Sequence, residues 1–591
     1  MKFRKILPML LLAFLVSPLI TFRSITLSPF EPGLNHISPM QTATLDAEPK
    51  FDPPAILVYT EFVDLNPGEE FENTMKAIDN TYGTNYIYSN LTDYTNLDAE
   101  LPGKDILLIP EQELANVADM KTVGTAWNNT LRNFIENGGA AILLDFGNET
   151  DPGLGLHIYN ESGIMQINSV LDSYPTGGLT TLRLAQANDA MCRRLASTWS
   201  AMANTITVDT SDGIRVVDNG LPNYDDICVR KPFGRGNIVF LGFDLSTSDA
   251  NYEEILGNAV RLSNHVVFDE SHSQGKSINV ELVDFVDDLV SEGFGVSRMT
   301  SFSPSYFNAS DILVVGYVDG IGDYNAQQIT AIYAYVTGGG ATFLYGDASS
   351  YIDEIRGIAN IFGYDWYRDR ILDTDDAVDD LGDIRYDGDN LLHHPISVNV
   401  TEYETNYGTG LTTLPDNAER VIISDADGTS YWDTAGWRAE GIPVLAVSRH
   451  GTGRVGTASD SDWLDATSDW DMDGIKAYHD SNNSVLALNI MHWLAGGSTA
   501  NEAPVITDVT NAPSSPLNGQ IVTVLANVTD ETGLSNVTCH YRINYGLWAY
   551  SLMSLVSGDE YSADIGGFSE TEDIYYYILT YDSTTDTLES I

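Results

Sequence analysis

Cysteine is nearly absent. Cys192, Cys228 and Cys539 are the only three among 591 residues. So scattered a set excludes a thiolate metal cluster. Cys192 and Cys228 fall in one expected domain and are able to pair in an oxidising compartment. Cys539 is then left over as a buried strand residue. Basic residues are scarce too: 29 Lys and Arg stand against 84 Asp and Glu, a formal net charge of −55. A surface of that sign repels nucleic-acid phosphates and anionic lipid, which excludes both as partners. It favours divalent cations, basic partners or a salty medium, and plain solubility outside a cell explains it equally well.

Hydrophobic residues make up 43% of the chain, enough for real cores. One apolar run, residues 6–20, follows the basic Lys2, Arg4 and Lys5. Its length suits an export signal and is short for a membrane span. Residues 1–22 therefore read as a signal peptide or, since no small-x-small cleavage site follows, as an N-terminal anchor. Residues 23–52 are rich in Ser, Thr and Pro and read as a tether. Sequons at Asn90, Asn128, Asn148, Asn160, Asn308, Asn399, Asn482, Asn527 and Asn536 suit an exposed, glycosylated surface. The expected location is secreted or cell-surface, with a protein or glycan as partner.

The body of the chain repeats a plan. Gly234-Arg-Gly-Asn-Ile-Val-Phe-Leu-Gly-Phe-Asp244 leads to a helical stretch carrying Asn258. Gly451-Thr-Gly-Arg-Val-Gly-Thr-Ala-Ser-Asp460 leads, after an acidic insert, to one carrying Asn489. Earlier landmarks also match in order: the apolar run at 55–59 with 265–269, Asp105-Ile-Leu-Leu-Ile with Asp311-Ile-Leu-Val-Val, and Gly138-Gly139 with Gly338-Gly-Gly340 before buried strands. Shared order at similar spacing predicts a tandem repeat. The expected domains are 53–263 and 264–497. Short apolar strands alternating with helices predict a doubly wound, flavodoxin-like α/β fold with a parallel sheet in each. The ligand crevice of such a sheet lies at the carboxyl ends of its strands. From 498 to 591 the pattern changes to alternating strands with Pro and Gly turns, as in an all-β, Ig-like sandwich. The sequence ends at Ile591, where a last strand is expected, so a C-terminal anchor beyond it is a further expectation.

The sharpest motif lies in the insert of the second copy: Asp469-Trp-Asp471-Met-Asp473-Gly474-Ile475, with Asp480 eleven residues after Asp469. Carboxylates at positions 1, 3 and 5, a glycine at 6 for the turn, a backbone carbonyl at 7 and an acid at 12 form a calcium-loop pattern. The expected metal ligands are Asp469, Asp471, Asp473, Ile475 and Asp480. The bland reading is a solvated acidic loop, which is the reading given to the other acidic run, 373–389. A second constellation follows the first strand of the second copy, Asp269-Glu-Ser-His272. His394, Asp347 and Asp460 can converge there from other strand ends. Imidazoles with carboxylates can bind a metal or do acid–base work; otherwise His272 and His394 hydrogen-bond loop backbone. The first copy offers Glu61, Glu111, Glu113 and Asp145 at equivalent places, none of them a histidine.

Asp269-Glu-Ser-His272, Leu392-His-His-Pro-Ile396, the Gly-Gly before a buried strand and the Gly-x-Gly-Arg leading to Asp together resemble the class I glutamine-amidotransferase-like superfamily. The resemblance is to its non-catalytic branch, found in intraflagellar-transport and gliding-motility transport proteins. It implies an amidotransferase-like fold for both copies. Catalytic members carry a Gly-x-Cys-x-Gly elbow after the Gly-Gly strand. Here the positions read Asp145-Phe-Gly147 and Gly346-Asp347-Ala-Ser349-Ser350, with no cysteine, so thiolate chemistry on glutamine is excluded. The expected function is a non-enzymatic recognition or assembly scaffold, with calcium stiffening the second domain. The alternative is an extracellular hydrolase, acting on carbohydrate, that uses His272, His394, Asp347 and Asp460.

Overall fold

The computed structural model describes residues 53–146, 152–174, 180–220, 225–243, 245, 248–318, 324–347, 352–374, 376–378, 382–392, 394–424, 430–436, 439, 441–496, 504–514, 516–529, 534–543, 549–568, 574–582 and 589–590. The expected signal and tether, and Asp244, Ser349, Ser350 and His393, lie outside the described residues.

The first α/β region is built from β1 (Ala55–Tyr59), α1 (Glu70–Thr81), β2 (Ile87–Leu91), β3 (Ile106–Ile109), α2 (Val117–Glu136), β4 (Ala140–Leu144), β5 (Asp226–Phe233), β6 (Gly236–Leu241) and α3 (Ala250–Val260). Strands β1, β3 and β4 are apolar and buried at every position, as strands covered on both faces must be. Helix α2 starts earlier than its apolar spacing suggests, because Asn116 and Asp119 close a reciprocal cap at its first turn. The sheet runs β2-β1-β3-β4-β6-β5 and continues into shorter strands.

The second α/β region comprises β7 (His265–Asp269), α4 (Val283–Ser291), β8 (Gly295–Met299), β9 (Ile312–Gly316), α5 (Ala326–Thr337), β10 (Ala341–Tyr345), β11 (Glu402–Asn406), β12 (Glu419–Ile423), β13 (Pro443–His450), β14 (Gly453–Ala458) and α6 (Asn483–Leu494). Its sheet runs β8-β7-β9-β10-β14-β13-β12. Strand β11 stands apart from it, in a hairpin with Asp383–Asp387.

The expectation of purely parallel sheets is corrected. Pairing is parallel from β2 to β6 and from β8 to β14, but β5 and β13 return antiparallel to their neighbours. The cause is local: a tight turn precedes each closing strand, and Gly234 and Gly451 sit in it at φ +63° and +64°. Such a turn makes a hairpin, whereas a parallel neighbour needs a long crossover.

Matching parts recur in detail. The Asp105 carboxylate accepts the amide of Ala55 at 2.7 Å, and Asp311 accepts that of His265 at 2.7 Å. A Cβ on Gly236 would meet the Gly139 carbonyl at 2.1 Å; on Gly453 it would meet that of Val336 at 1.9 Å. Asn258 donates to the carbonyls of Met191 (3.2 Å) and Arg193 (2.8 Å). Asn489 does the same to Ile396 (3.0 Å) and Val398 (2.8 Å).

The two regions are joined through polar contacts. Arg230 of β5, completely buried and paired with Asp189 at 2.6 Å inside the first region, faces the Tyr306 ring of the second at 5.3 Å. The amide of Ala190 donates to Ser297 at 2.9 Å, and Ser297 lies 2.8 Å from His265 Nε2. Arg193 donates to the Val296 carbonyl at 2.8 Å and Arg235 to those of Gly338 and Gly339 at 2.9 Å. The possible Cys192–Cys228 bond is not formed: both are buried free thiols, and Cys192 leans on the Val216 carbonyl at 3.8 Å.

Beyond residue 503 the described residues are β-rich. Val505–Ala512, Ile521–Thr529, Glu560–Gly567 and Ser554–Ser557 form one four-stranded sheet. Ala549–Leu552, Leu534–Ile543, Ile574–Asp582 and Glu589–Ser590 form another. Val524, Val528 and Ile565 of the first share a core with Val537, Cys539 and Ile578 of the second. Inward and outward residues alternate along Ile521–Thr529, as one covered face requires.

Candidate functional site

The carboxyl ends of β7, β9, β10 and β14 open onto a cavity of about 430 Å³, lined by Lys276, Tyr317, Asp347, Arg370, Tyr407 and Trp470 among others. The first strand ends in Asp269, whose carboxylate accepts the Ser271 amide (2.8 Å) and hydroxyl (2.6 Å) and the Tyr324 hydroxyl (2.8 Å). Glu270 turns to Arg298 at 2.6 Å. The acids directly after β7 are thus spent on holding their own loop.

The four expected catalytic residues separate into two pairs of fates. Asp347 and Asp460 come together. With Asp462 they place carboxylate oxygens within 4.8 Å of one another. Asp347 accepts the Ser461 hydroxyl at 2.9 Å. Asp460 is fully buried and accepts the amides of Asn406 (2.9 Å), Ser461 (2.7 Å) and Asp462 (3.1 Å). Burial, and then the charges of Asp462 and Asp347, push the Asp460 carboxyl well above the carboxylate range. Lys276 offsets part of that charge by pairing with Asp462 and Asp465, each at 2.7 Å.

The histidines do not join them. His272 lies 2.8 Å from the Ser271 hydroxyl through Nδ1 and 3.0 Å from the Gln328 amide through Nε2, with its ring over Tyr324 at 3.9 Å. His394 accepts the Ile396 amide at 3.1 Å on Nδ1, which caps the turn Pro395–Ser397, and its Nε2 lies 3.2 Å from Glu419. Neither histidine has Asp347 or Asp460 among its partners. His394 has a counterpart in the first region, Asp189, whose carboxylate accepts the Met191 amide at 3.1 Å and caps the turn Ala190–Cys192. Both turns are the ones that Asn258 and Asn489 hold.

The residue after β4, where a catalytic elbow would lie, holds backbone instead. At the end of β4, Asp145 is buried and its carboxylate accepts the amides of Phe146 (3.0 Å) and Leu156 (2.8 Å). Burial raises it to about 7.

The acidic loop of the second region lies beside the cavity. Asp469, Asp471 and Asp473 bring oxygens within 4.8 Å of one another. Each also accepts a loop amide: Gly474 on Asp469 (3.2 Å), Asp473 on Asp471 (3.2 Å) and Ile475 on Asp473 (2.7 Å). Gly474 has φ +98°, as the sixth place of such a loop demands. The Ile475 side chain is exposed. Asp480 is only 5% exposed. Burial raises its carboxyl to about 7, and the charges of Glu404, Asp471, Asp473 and Asp469 add to the rise. It does not join the loop triad directly. It groups instead with Asp471 and with Glu404 of β11, again within 4.8 Å. Sequence reasoning missed Glu404, because nothing near it in the chain ties a hairpin strand to that loop.

No family model and no curated protein matches the chain. Among solved structures it is similar to the mmIFT52 N-terminal domain, at 13% identity and TM-score 0.33, over 40% of this chain and 98% of that one. It is also similar to a ThuA-like protein from Bacteroides uniformis ATCC 8492, at 11% identity and TM-score 0.25, over 36% of this chain and 91% of that one. A beta-galactosidase from Bacillus circulans sp. alkalophilus is similar at 12% identity and TM-score 0.25, over 56% of this chain but only 45% of its own. Likenesses this distant assign neither a family nor an activity.

Proposed function

We propose that the chain is an exported or cell-surface recognition or assembly scaffold, without enzymatic activity, whose second α/β region is stiffened by calcium. The observation that carries the reading is the acidic loop. Asp469, Asp471 and Asp473 crowd together, and nearly buried Asp480 stands near them. Buried or crowded carboxylates are stable when paired or when they coordinate a metal. Hard oxygen ligands on a flexible loop with glycine at the sixth place suit calcium. The scaffold part rests on His272 and His394 being tied to loop and cap rather than to Asp347 or Asp460.

On this reading residues 53–263 and 264–497 are tandem copies of one degenerate amidotransferase-like domain, and 498–591 is an Ig-like spacer or adhesion module. The common strand order and the paired roles of Asp105 and Asp311, and of Asn258 and Asn489, support the duplication. The partner is a protein or glycan outside the cell. Thermal unfolding with calcium and with chelator tests the ion: the melting temperature falls in chelator, and Asp471→Ala with Asp473→Ala abolishes the difference. An equal melting temperature in both media contradicts it.

The cavity that Asp347 shares with Tyr317, Tyr407 and Trp470 favours one competing reading, an extracellular carbohydrate hydrolase. Turnover of a chromogenic glycoside that Asp347→Asn abolishes would establish that alternative over the scaffold.

A further inference from the structure

We propose a metal site that the loop pattern does not contain: Glu404, Asp471 and Asp480 hold a divalent cation in the notch between β11 and the acidic loop. The proposal rests on the calcium reading above for the class of ion, and it changes where the ion sits and what it joins.

Three observations carry it. First, the three carboxylates come from two separate elements and still place oxygens within 4.8 Å of one another. Second, Glu404 and Asp480 line a cavity of about 10 Å³ together with Asp383, Trp470 and Asn483. That is room for about a single ion or water. Third, Asp480 is more than nine-tenths buried, and among the described residues no hydrogen bond or counter-ion reaches its carboxylate. A buried carboxylate in that position is costly unless a cation meets it.

The neighbours are arranged to present Glu404. Arg385 donates to its Oε2 at 3.0 Å and the Ser481 hydroxyl at 3.4 Å, which leaves Oε1 for the notch. Asp473 differs, being exposed and turned onto the Ile475 amide of its own loop. No histidine or cysteine lines the notch, so the donor set is all oxygen, the preference of calcium over zinc. Trp470 lines both this notch and the large cavity. An ion here therefore bolts one wall of the cavity to the β11 hairpin, and couples cation binding to the shape of the crevice.

The test uses the full chain and terbium as a calcium probe, with sensitised emission through Trp470 and displacement by calcium; calorimetry gives the affinity independently. Glu404→Gln and Asp480→Asn each weaken binding by about tenfold or more, and Asp473→Asn by less than about threefold, since affinity follows the charge count of the ligands. Trp470→Phe lowers the sensitised emission, with Trp463 still lining the notch, and leaves the calorimetric affinity unchanged. If Glu404→Gln is unfolded by circular dichroism, Glu404→Asp is read in its place, because it keeps a charge facing Arg385 and draws the ligand back. Glu404 substitution that leaves affinity within about threefold overturns the proposal, and the loop reading then stands if Asp473→Asn is the damaging change. No binding by the unaltered chain at millimolar calcium overturns the calcium reading and this site together.

Discussion

The two α/β regions use one framework for different ends. Strand order is β2-β1-β3-β4-β6-β5 in the first and β8-β7-β9-β10-β14-β13 in the second. The same small parts hold both: an aspartate that ties down the first strand, a glycine where closing strand and helix meet, an asparagine that clamps a capped turn. The differences lie at the carboxyl ends of the strands and in the segments beyond those ends. The first region turns Asp145 inward to hold backbone amides and gathers Glu70, Glu111 and Glu113 instead. The second gathers Asp347, Asp460 and Asp462, adds the β11 hairpin and inserts the acidic loop. Features present in both regions belong to the framework, and only features private to one are candidates for function. By that test His394 is framework, since it does the work of Asp189. Glu404, Asp471 and Asp480 are private.

The largest expected effect probes where the two capping residues part company. Asp189 is also the partner of buried Arg230, whereas among the described residues His394 meets the turn, Glu419 and the Trp493 ring. Asp189→Ala leaves a buried guanidinium uncompensated and costs about 3–5 kcal/mol in chemical denaturation. His394→Ala loses a cap and costs about 1 kcal/mol.

His265 opens β7 where alanine opens β1, so it adds a buried imidazole to the second region at that place. Burial, and then the positive charge of Arg230, lower its pKa from 6.5 to about 4. A group with a depressed folded pKa contributes stability that is present above the unfolded value and lost as pH falls through the folded one. The His265 contribution therefore declines between pH 6.5 and about 4, by an amount on the order of 3 kcal/mol, against the opposite trend of raised carboxyls such as Asp311. His265→Gln flattens that part of the profile in denaturant titrations at stepped pH.

Calcium removal sharpens the comparison next. At a free concentration one hundred times the dissociation constant the ion contributes about 2.7 kcal/mol, on the order of 5 °C in a region of this size. Hydrogen exchange locates the loss in the second region and leaves β1–β6 protected as before. The smallest effect is the most symmetrical. Asn258→Ala and Asn489→Ala each free two buried carbonyls and cost about 1–3 kcal/mol. Losses that agree within about 0.5 kcal/mol support one framework used twice.

Much of this was legible in the sequence because it rests on local chemistry. Buried parallel strands read as unbroken apolar runs, and the glycines before β6 and β14 mark turns that only a residue without a side chain can make. The antiparallel return of β5 and β13 was not legible, because strand direction is set by the length and shape of a turn that apolar periodicity does not register. The acidic loop announced itself through alternate carboxylates. Glu404 did not, since a ligand supplied by a distant hairpin has no spacing to betray it. His394 misled for the opposite reason: an imidazole in a conspicuous His-His-Pro motif looks like chemistry, yet Nδ1 accepts a backbone amide as the Asp189 carboxylate does.

The central claim is most directly tested by melting the unaltered chain and Asp480→Asn side by side, each in calcium and in chelator. The account predicts that chelator lowers the melting temperature of the unaltered chain and leaves the variant unmoved. Identical melting of the unaltered chain in the two media would contradict it.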